Sequence, residues 1–422
     1  MFAAYLVLFS WLVTRNRFFL ASGLSKPQLL ILFLLKVISG ILYGWIGVYY
    51  GELAKMVDTW AYHYESLQEY NLLKSNPGEF FTNILRNPYG DGYTRFLASE
   101  NSWWNDLKAN IFIKLLAVFN LASFGNYYTN VIFYSFITLF GPVALFRVMR
   151  DVFQVNRLAV ILAAFLVPSF LYWTSGLHKD GLIFLAIALV IYAVYVILKT
   201  GRLQFLHLFF IVTGLLMVIT LRNFLIIPLL PALFAWVAAS KLKAKPWLVF
   251  AGTYAVFILF FFTARYIHPR LNFPEEVAAR QEAFLGLGGG SAVEVSRLQP
   301  SFSSFVRNTP ASLALSTIRP YPADVNHLLS LAAATEINFL LLLALFCLIY
   351  RRSRFATSPF ILFCLFLSFS VLLMIGYTVN ILGAIVRYRS IVLPLLMVPV
   401  VAQANWKKIG QLFGGDITEK EI

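Results

Sequence analysis

The chain has 422 residues, 60% of them hydrophobic, 17% aromatic and only 13% charged, with a formal net charge of +15. A water-soluble domain carries roughly 25% charged residues, so this composition excludes a soluble globular protein and makes lipid the solvent. The charge excess would suit nucleic acid, but no basic run, RNA-binding signature or soluble domain accompanies it, so the reading is no nucleic-acid partner.

Met1–Val13 is apolar and is followed by Thr14-Arg15-Asn16-Arg17. It lacks a polar leading region and a small-residue cleavage site, so it does not read as a signal peptide. Its length suits an interfacial helix or a short extra crossing. Apolar blocks then predict spans near 28–50, 128–148, 158–175, 181–198, 204–220, 223–240, 247–264, 331–350, 359–383 and 389–405. Each is long enough to cross a hydrocarbon core of roughly 30 Å at about 1.5 Å per residue. Cys347 and Cys364 fall inside such blocks, where a thiol acts as a small core residue rather than a disulfide or metal partner. The expected fold is therefore an all-α, polytopic transmembrane bundle of about ten spans, eleven if Met1–Val13 crosses. It is expected to form a single integral membrane domain over 1–422.

Charge sets the orientation. Arg15, Arg17 and Lys26 precede the first span, and alternate connections carry Arg147, Arg150 and Arg157; Lys199 and Arg202; Lys241, Lys243 and Lys245; Arg351, Arg352 and Arg354; and Lys407 and Lys408. Every second connection is basic, which makes those connections cytoplasmic by the positive-inside rule. Two long segments, 51–127 and 265–330, then lie on the other side. The first is expected to hold two surface-lying helices, Glu52–Leu73 and Asn110–Phe124, separated by turns at Asn76-Pro77-Gly78 and Asn87–Gly92. The second contains Gly286-Leu287-Gly288-Gly289-Gly290, a hinge candidate with no phosphate-loop signature around it. No internal repeat supports an inverted-repeat transporter.

A few residues need explaining once the cytoplasmic charges are placed. Lys179, Arg222, Arg387 and Arg389 fall in short outer turns, and Arg265 and Arg319 flank the second long segment. Each alone suits a headgroup anchor. Together they suit recognition of a lipid phosphate, because the guanidinium fork matches phosphate oxygens. In the first outer helix Asp58, Tyr62 and Glu65 share a face, while His63 lies about 140° round from Asp58 at 100° per residue. A carboxylate at that level suits a general base toward a sugar hydroxyl. Asp180, opening a span, is expected to be its N-cap, with His178 and Lys179 beside it available to a substrate phosphate. No ligand spacing on one element supports a metal. Trp103-Trp104 suits an interfacial anchor, and Glu336, Asn338 and Asn380 are intramembrane polar groups that must face a cavity or one another.

This plan resembles the GT-C superfamily of membrane glycosyltransferases, which use polyprenyl-phosphate-linked sugars. The likeness covers nearly the whole chain in architecture, and at residue level it rests on Asp58 past the first span and Arg387-Tyr388-Arg389 heading the last. Members commonly carry Asp-Asp or Asp-x-Asp there, whereas Thr59 and Trp60 follow Asp58, so the cofactor stays open: a divalent metal fits the family but has no ligand spacing here. The resemblance implies an inverting sugar transfer at the non-cytoplasmic face of a bacterial inner membrane, in cell-envelope glycan assembly. Asp58 would be the base, with Tyr62, Glu65, His178, Lys179, Arg222, Arg265, Arg319, Arg387, Tyr388 and Arg389 lining the substrate site. The partners implied are the bilayer, a polyprenyl-phosphate-linked sugar, and a glycan, lipid or protein acceptor. Three alternatives stay open: a surface-polysaccharide polymerase, a flippase or transporter for lipid-linked sugars, and a non-catalytic membrane subunit of an envelope complex.

Overall fold

A computed structural model describes residues 1–49, 58–86, 103–153, 157–351 and 358–412, the side chain of Asn105 excepted. The Asn87–Gly92 turn, Arg352 and Arg354 lie outside the described residues, as does the start of the expected Glu52–Leu73 helix. Within them the chain is all-helical, with only isolated bridges at Ala292–Ile381 and Arg351–Ala404. The first helices are α1 (Phe2–Arg15), α2 (Arg17–Leu20), α3 (Lys26–Tyr49), α4 (Asp58–Ser75) and α5 (Pro77–Thr82). There follow α6 (Trp103–Ser123), α7 (Tyr127–Val152), α8 (Arg157–Phe165), α9 (Pro168–Ser175) and α10 (Asp180–Thr200). Then come α11 (Phe205–Arg222), α12 (Ile226–Lys241), α13 (Pro246–Thr263), α14 (Phe273–Gly286) and α15 (Phe302–Thr317). The chain closes with α16 (Leu328–Ile349), α17 (Pro359–Thr378), α18 (Leu382–Ser390), α19 (Leu393–Ala402) and α20 (Trp406–Leu412).

Seven of these helical runs are long and apolar enough to cross a membrane, and nine if each of two bent pairs is one span. That is the pattern of a multi-pass membrane protein. The run Phe205–Lys241 counts once among the seven although α11 and α12 are separated by a 3-10 turn at Asn223–Leu225. The bent pairs differ from the uninterrupted spans expected at 158–175 and 389–405. Proline is the cause in both. Pro168 and Pro394 clash with the carbonyls four residues earlier, at Ala164 and Ser390, and each disfavours helix at the residue before it. The chain accordingly bends by 48° between α8 and α9 and by 58° between α18 and α19. Arg387 and Arg389 therefore sit in the last turn of a helix before a bend, not in an outer turn.

The described chain divides into two compact units. The first holds residues 1–49, 58–86, 103–148 and 170–223; the second holds 149–153, 157–169, 224–351 and 358–412. In the first unit α1 tracks α7. The Tyr5 hydroxyl donates to the Ala122 carbonyl just before α7, the ring contacts Tyr5–Phe133 and Phe9–Phe136 follow along both helices, and Phe18–Phe140 continues the row from α2. Still within the first unit, α10 and α11 form a hairpin, with Gly201 ending α10 in the left-handed conformation (φ 67°) that glycine adopts without strain.

In the second unit α17 is the central helix. It packs on α12, α13, α14, α15 and α19, and α8 lies against α19. The segment after the glycine run is stitched to the loop before α18: Val293 N–H donates to the Asn380 carbonyl and Leu382 N–H to that of Ser291. The hinge candidate is thus tied down at its C-terminal end.

Candidate functional site

The first unit brings Asp58, His178, Asp180 and Arg222 together from three different helices and a turn. Asp58 opens α4, and its neighbours fix that helix in place. Thr59 donates to the Leu177 carbonyl at 3.0 Å, and the Trp60 indole donates to the Gly44 carbonyl at 2.9 Å while stacking on Tyr127. The turn from Ser175 to Lys179 is held from the other side by α3. The Lys36 ammonium donates to the Thr174 carbonyl (2.7 Å) and the Ser175 hydroxyl (3.3 Å), placing a cation at the carbonyl end of α9. Gly176 allows this close packing, because a Cβ there would meet the Tyr43 ring at 2.2 Å. Tyr134 then donates its hydroxyl to the His178 carbonyl.

These constraints aim the His178 ring. Its Nδ1 lies 2.9 Å from Asp180 Oδ2, and its Nε2 lies 3.7 Å from Asp58 Oδ2. Behind them Arg222 Nη2 lies 2.5 Å from Asp180 Oδ1. The side chains of His178 and Asp180 are wholly buried, whereas that of Asp58 is 56% exposed. The row therefore runs from an accessible carboxylate, through an imidazole, to a buried ion pair. Tyr62 flanks it, with its ring 5.6 Å from that of His178, and Lys179 Nζ lies 5.6 Å over the Tyr62 ring. Glu65 is exposed one turn further along α4; partial desolvation raises its carboxyl pKa.

Two expectations change here. Asp180 is not the N-cap of α10; Lys179 occupies that position without a side-chain bond, and the Asp180 carboxylate is drawn to His178 and Arg222 instead. Arg222, expected in an outer turn toward a substrate phosphate, ends α11 and lies against that buried carboxylate. The pairing had a legible signal. In a hairpin of α10 and α11 joined at Gly201–Gln204, the residue opening α10 faces the residue closing α11, and ionisable groups at span ends are expected to pair. Lys36 offered no such signal beyond its place inside a span.

Among the remaining expected residues, the second unit holds Arg265, Arg319, Arg387, Tyr388 and Arg389. Arg389 is buried, donating through Nη1 to the carbonyls of Arg319 (2.5 Å) and Ser316 (3.4 Å) at the end of α15. Glu336 on α16 acts on it electrostatically while accepting the Ser169 N–H at 2.8 Å. Arg319 pairs with Asp324 at 3.6 Å, and Arg265 donates to the Tyr266 hydroxyl. Tyr388 lies near Phe224 and Phe284, and Arg387 near the Tyr388 ring. Sequence reasoning missed Arg280, which is buried over the rings of Phe224 and Phe284.

His63, on the inward face of α4, is buried edge-on to Trp60 and Tyr127. Desolvation lowers its pKa from 6.5 to about 4. Its folded pKa lies below its unfolded one, so its contribution to stability is complete above pH 6.5 and is lost as pH falls from there toward 4. The thermal midpoint of the detergent-solubilised protein is expected to fall between pH 7 and pH 5, with His63→Phe flattening part of that fall. An identical pH profile in the variant would remove His63 as its source.

Among the described residues no group of three or more His, Cys, Asp or Glu is arranged to hold a metal ion. Comparison with family models, curated proteins and solved structures returns no match, so the chemistry of these side chains is the basis for a functional reading.

Proposed function

We propose that the chain is a membrane glycosyltransferase that moves a sugar from a lipid-phosphate donor to an acceptor hydroxyl at the non-cytoplasmic face. The observation that carries this reading is the exposed Asp58 carboxylate, backed by the buried His178–Asp180–Arg222 row. The topology belongs to the same proposal. The 37-residue run Phe205–Lys241 holds two short crossings of about 17–19 residues each, near the lower limit for a span, meeting at Asn223–Leu225. Counting it so gives ten crossings, and α1 alongside α7 makes eleven. The basic connections then all lie on one side, with Asp58 and Lys179 on the other.

In this reading Asp58 accepts the proton of the acceptor hydroxyl as that oxygen bonds to the anomeric carbon. The bond from that carbon to the donor phosphate breaks, and its electron pair leaves on the phosphate oxygen. A single displacement inverts the anomeric centre. Lys179, at the accessible end of the row, stabilises the leaving phosphate by charge. His178 holds the carboxylate in place, and the Asp180–Arg222 pair holds the imidazole.

Purified protein in lipid vesicles, supplied with a panel of prenyl-phosphate hexoses and oligosaccharide acceptors, is expected to form a glycosidic bond of inverted configuration. Lys179→Gln should lower kcat and kcat/KM together, by about 100-fold, as expected for an interaction that strengthens while charge develops on the leaving phosphate. Movement of intact lipid-linked sugar across the vesicle, with no bond formed, would overturn the reading. One observation favours that transport alternative: two proline-broken spans, the interruption common in transporters.

A further inference from the structure

A cavity of about 430 Å³ lies within the second unit, walled by α12, α13, α14, α15 and α17. Its lining is apolar, with Pro228, Phe257, Phe261, Val277, Phe305 and Met374 prominent. The few hydroxyls on its wall are already engaged. Ser370 donates to the Phe366 carbonyl at 2.6 Å and lies 3.2 Å from the Tyr254 hydroxyl, while Tyr377 and Thr309 both reach the Phe305 carbonyl. A buried water needs two to four polar partners, so this space is suited to hydrocarbon. It is also continuous with exposed surface, since the lining residues Ile258, Phe260 and Val306 are 49%, 44% and 54% exposed. The cavity-lining part of α13 is the end nearest in sequence to the 265–330 segment, that of α17 is the end nearest the loop before α18, and that of α12 is its first turns after Asn223–Leu225.

A cation marks that end. Phe273, Val277, Arg280 and Phe284 recur on one face of α14 at spacings of four, three and four. The first two line the cavity, and Arg280 follows within one turn. Its guanidinium carbon lies 4.3 Å from the Phe224 ring centroid, two residues before the cavity-lining Ile226. A buried guanidinium beside an apolar cavity that opens at the surface matches an amphiphile in both parts. We propose that the cavity holds a hydrocarbon chain of a bilayer amphiphile whose anionic phosphate head lies at Arg280. The inference requires a membrane location only and stands whether or not Asp58 takes part in sugar transfer.

The test uses the full chain in nanodiscs containing phosphatidylglycerol or phosphatidylcholine, each with a diazirine in mid-chain. Photo-crosslinks are expected to concentrate on 226–231, 254–262, 302–309 and 370–377, several-fold above those on the exposed face of α11. They should be stronger with phosphatidylglycerol. Met374→Trp, or the milder Val306→Trp at the opening, should lower them several-fold, and Arg280→Gln should abolish the head-group preference while keeping the tail contacts. Asp58→Asn should change neither. Unlabelled phosphatidylglycerol or prenyl phosphate should compete, and whichever competes better identifies the source of the chain. Crosslinks spread evenly over exposed helices, or unaltered by both tryptophan variants, would overturn the assignment, as would equal crosslinking by the two lipids or competition by neither amphiphile.

Discussion

Asp58→Asn is expected to lower sugar transfer by about 100- to 10,000-fold, the usual worth of a positioned general base. The substitution keeps the shape of the side chain and removes its capacity to take a proton. Structure should be little affected, because Asp58 is largely exposed and its 3.7 Å approach to His178 is partly screened by water. Surface changes of this kind fall within about 0.5 kcal/mol, so membrane insertion, elution behaviour and thermal midpoint should match the wild type. The measurement is the single-turnover rate at saturating donor, which separates chemistry from binding. A variant within a few-fold of wild type would remove Asp58 as the base, whatever else the site does. Loss of rate together with a large fall in midpoint would instead make Asp58 a residue that holds α4 in place.

Arg222→Ala should be the most destabilising change in the first unit. Asp180 is wholly buried, and Arg222 lies 2.5 Å from one of its oxygens. Removing the guanidinium takes away the counter-charge of a buried carboxylate, and breaking such a pair costs about 3–5 kcal/mol. The consequence extends beyond stability, because Asp180 also fixes the His178 ring, and the ring reaches Asp58. The Asp180→Asn/Arg222→Gln double variant removes both charges at once and should cost clearly less than the sum of the two single changes. Thermal unfolding in detergent reads all three. Additive losses would mean that the two side chains do not stabilise each other. Arg222→Lys supplies a finer reading: it keeps the charge but loses the planar fork, and should fall between wild type and alanine.

Much of the candidate site was legible at the level of single residues. Asp58, His178, Lys179, Asp180 and Arg222 all stand out as ionisable groups at the margins of apolar blocks, where lipid makes them expensive without partners. Their roles were less legible. Arg222 and Asp180 stand at facing ends of a hairpin that the sequence outlines, but the packing of α10 on α11 turns Arg222 to a buried carboxylate and not to a substrate phosphate. Arg389 reads like an outward phosphate ligand, yet it caps carbonyls at the end of α15. Arg280 escaped notice because an arginine on an amphipathic helix looks like any solvated cation until its aromatic neighbours are known.

The amino-acid order alone determined that this is a helical protein of the membrane and where most of its long apolar helices lie. Those properties are local and additive: hydrocarbon demands an unbroken apolar length with its backbone bonded internally. Tertiary structure decided which charge meets which, where an inward-facing histidine loses its water, and that five helices leave an apolar space between them. Each of these depends on distances between residues remote in the chain, and electrostatic and packing energies change steeply over a few ångströms.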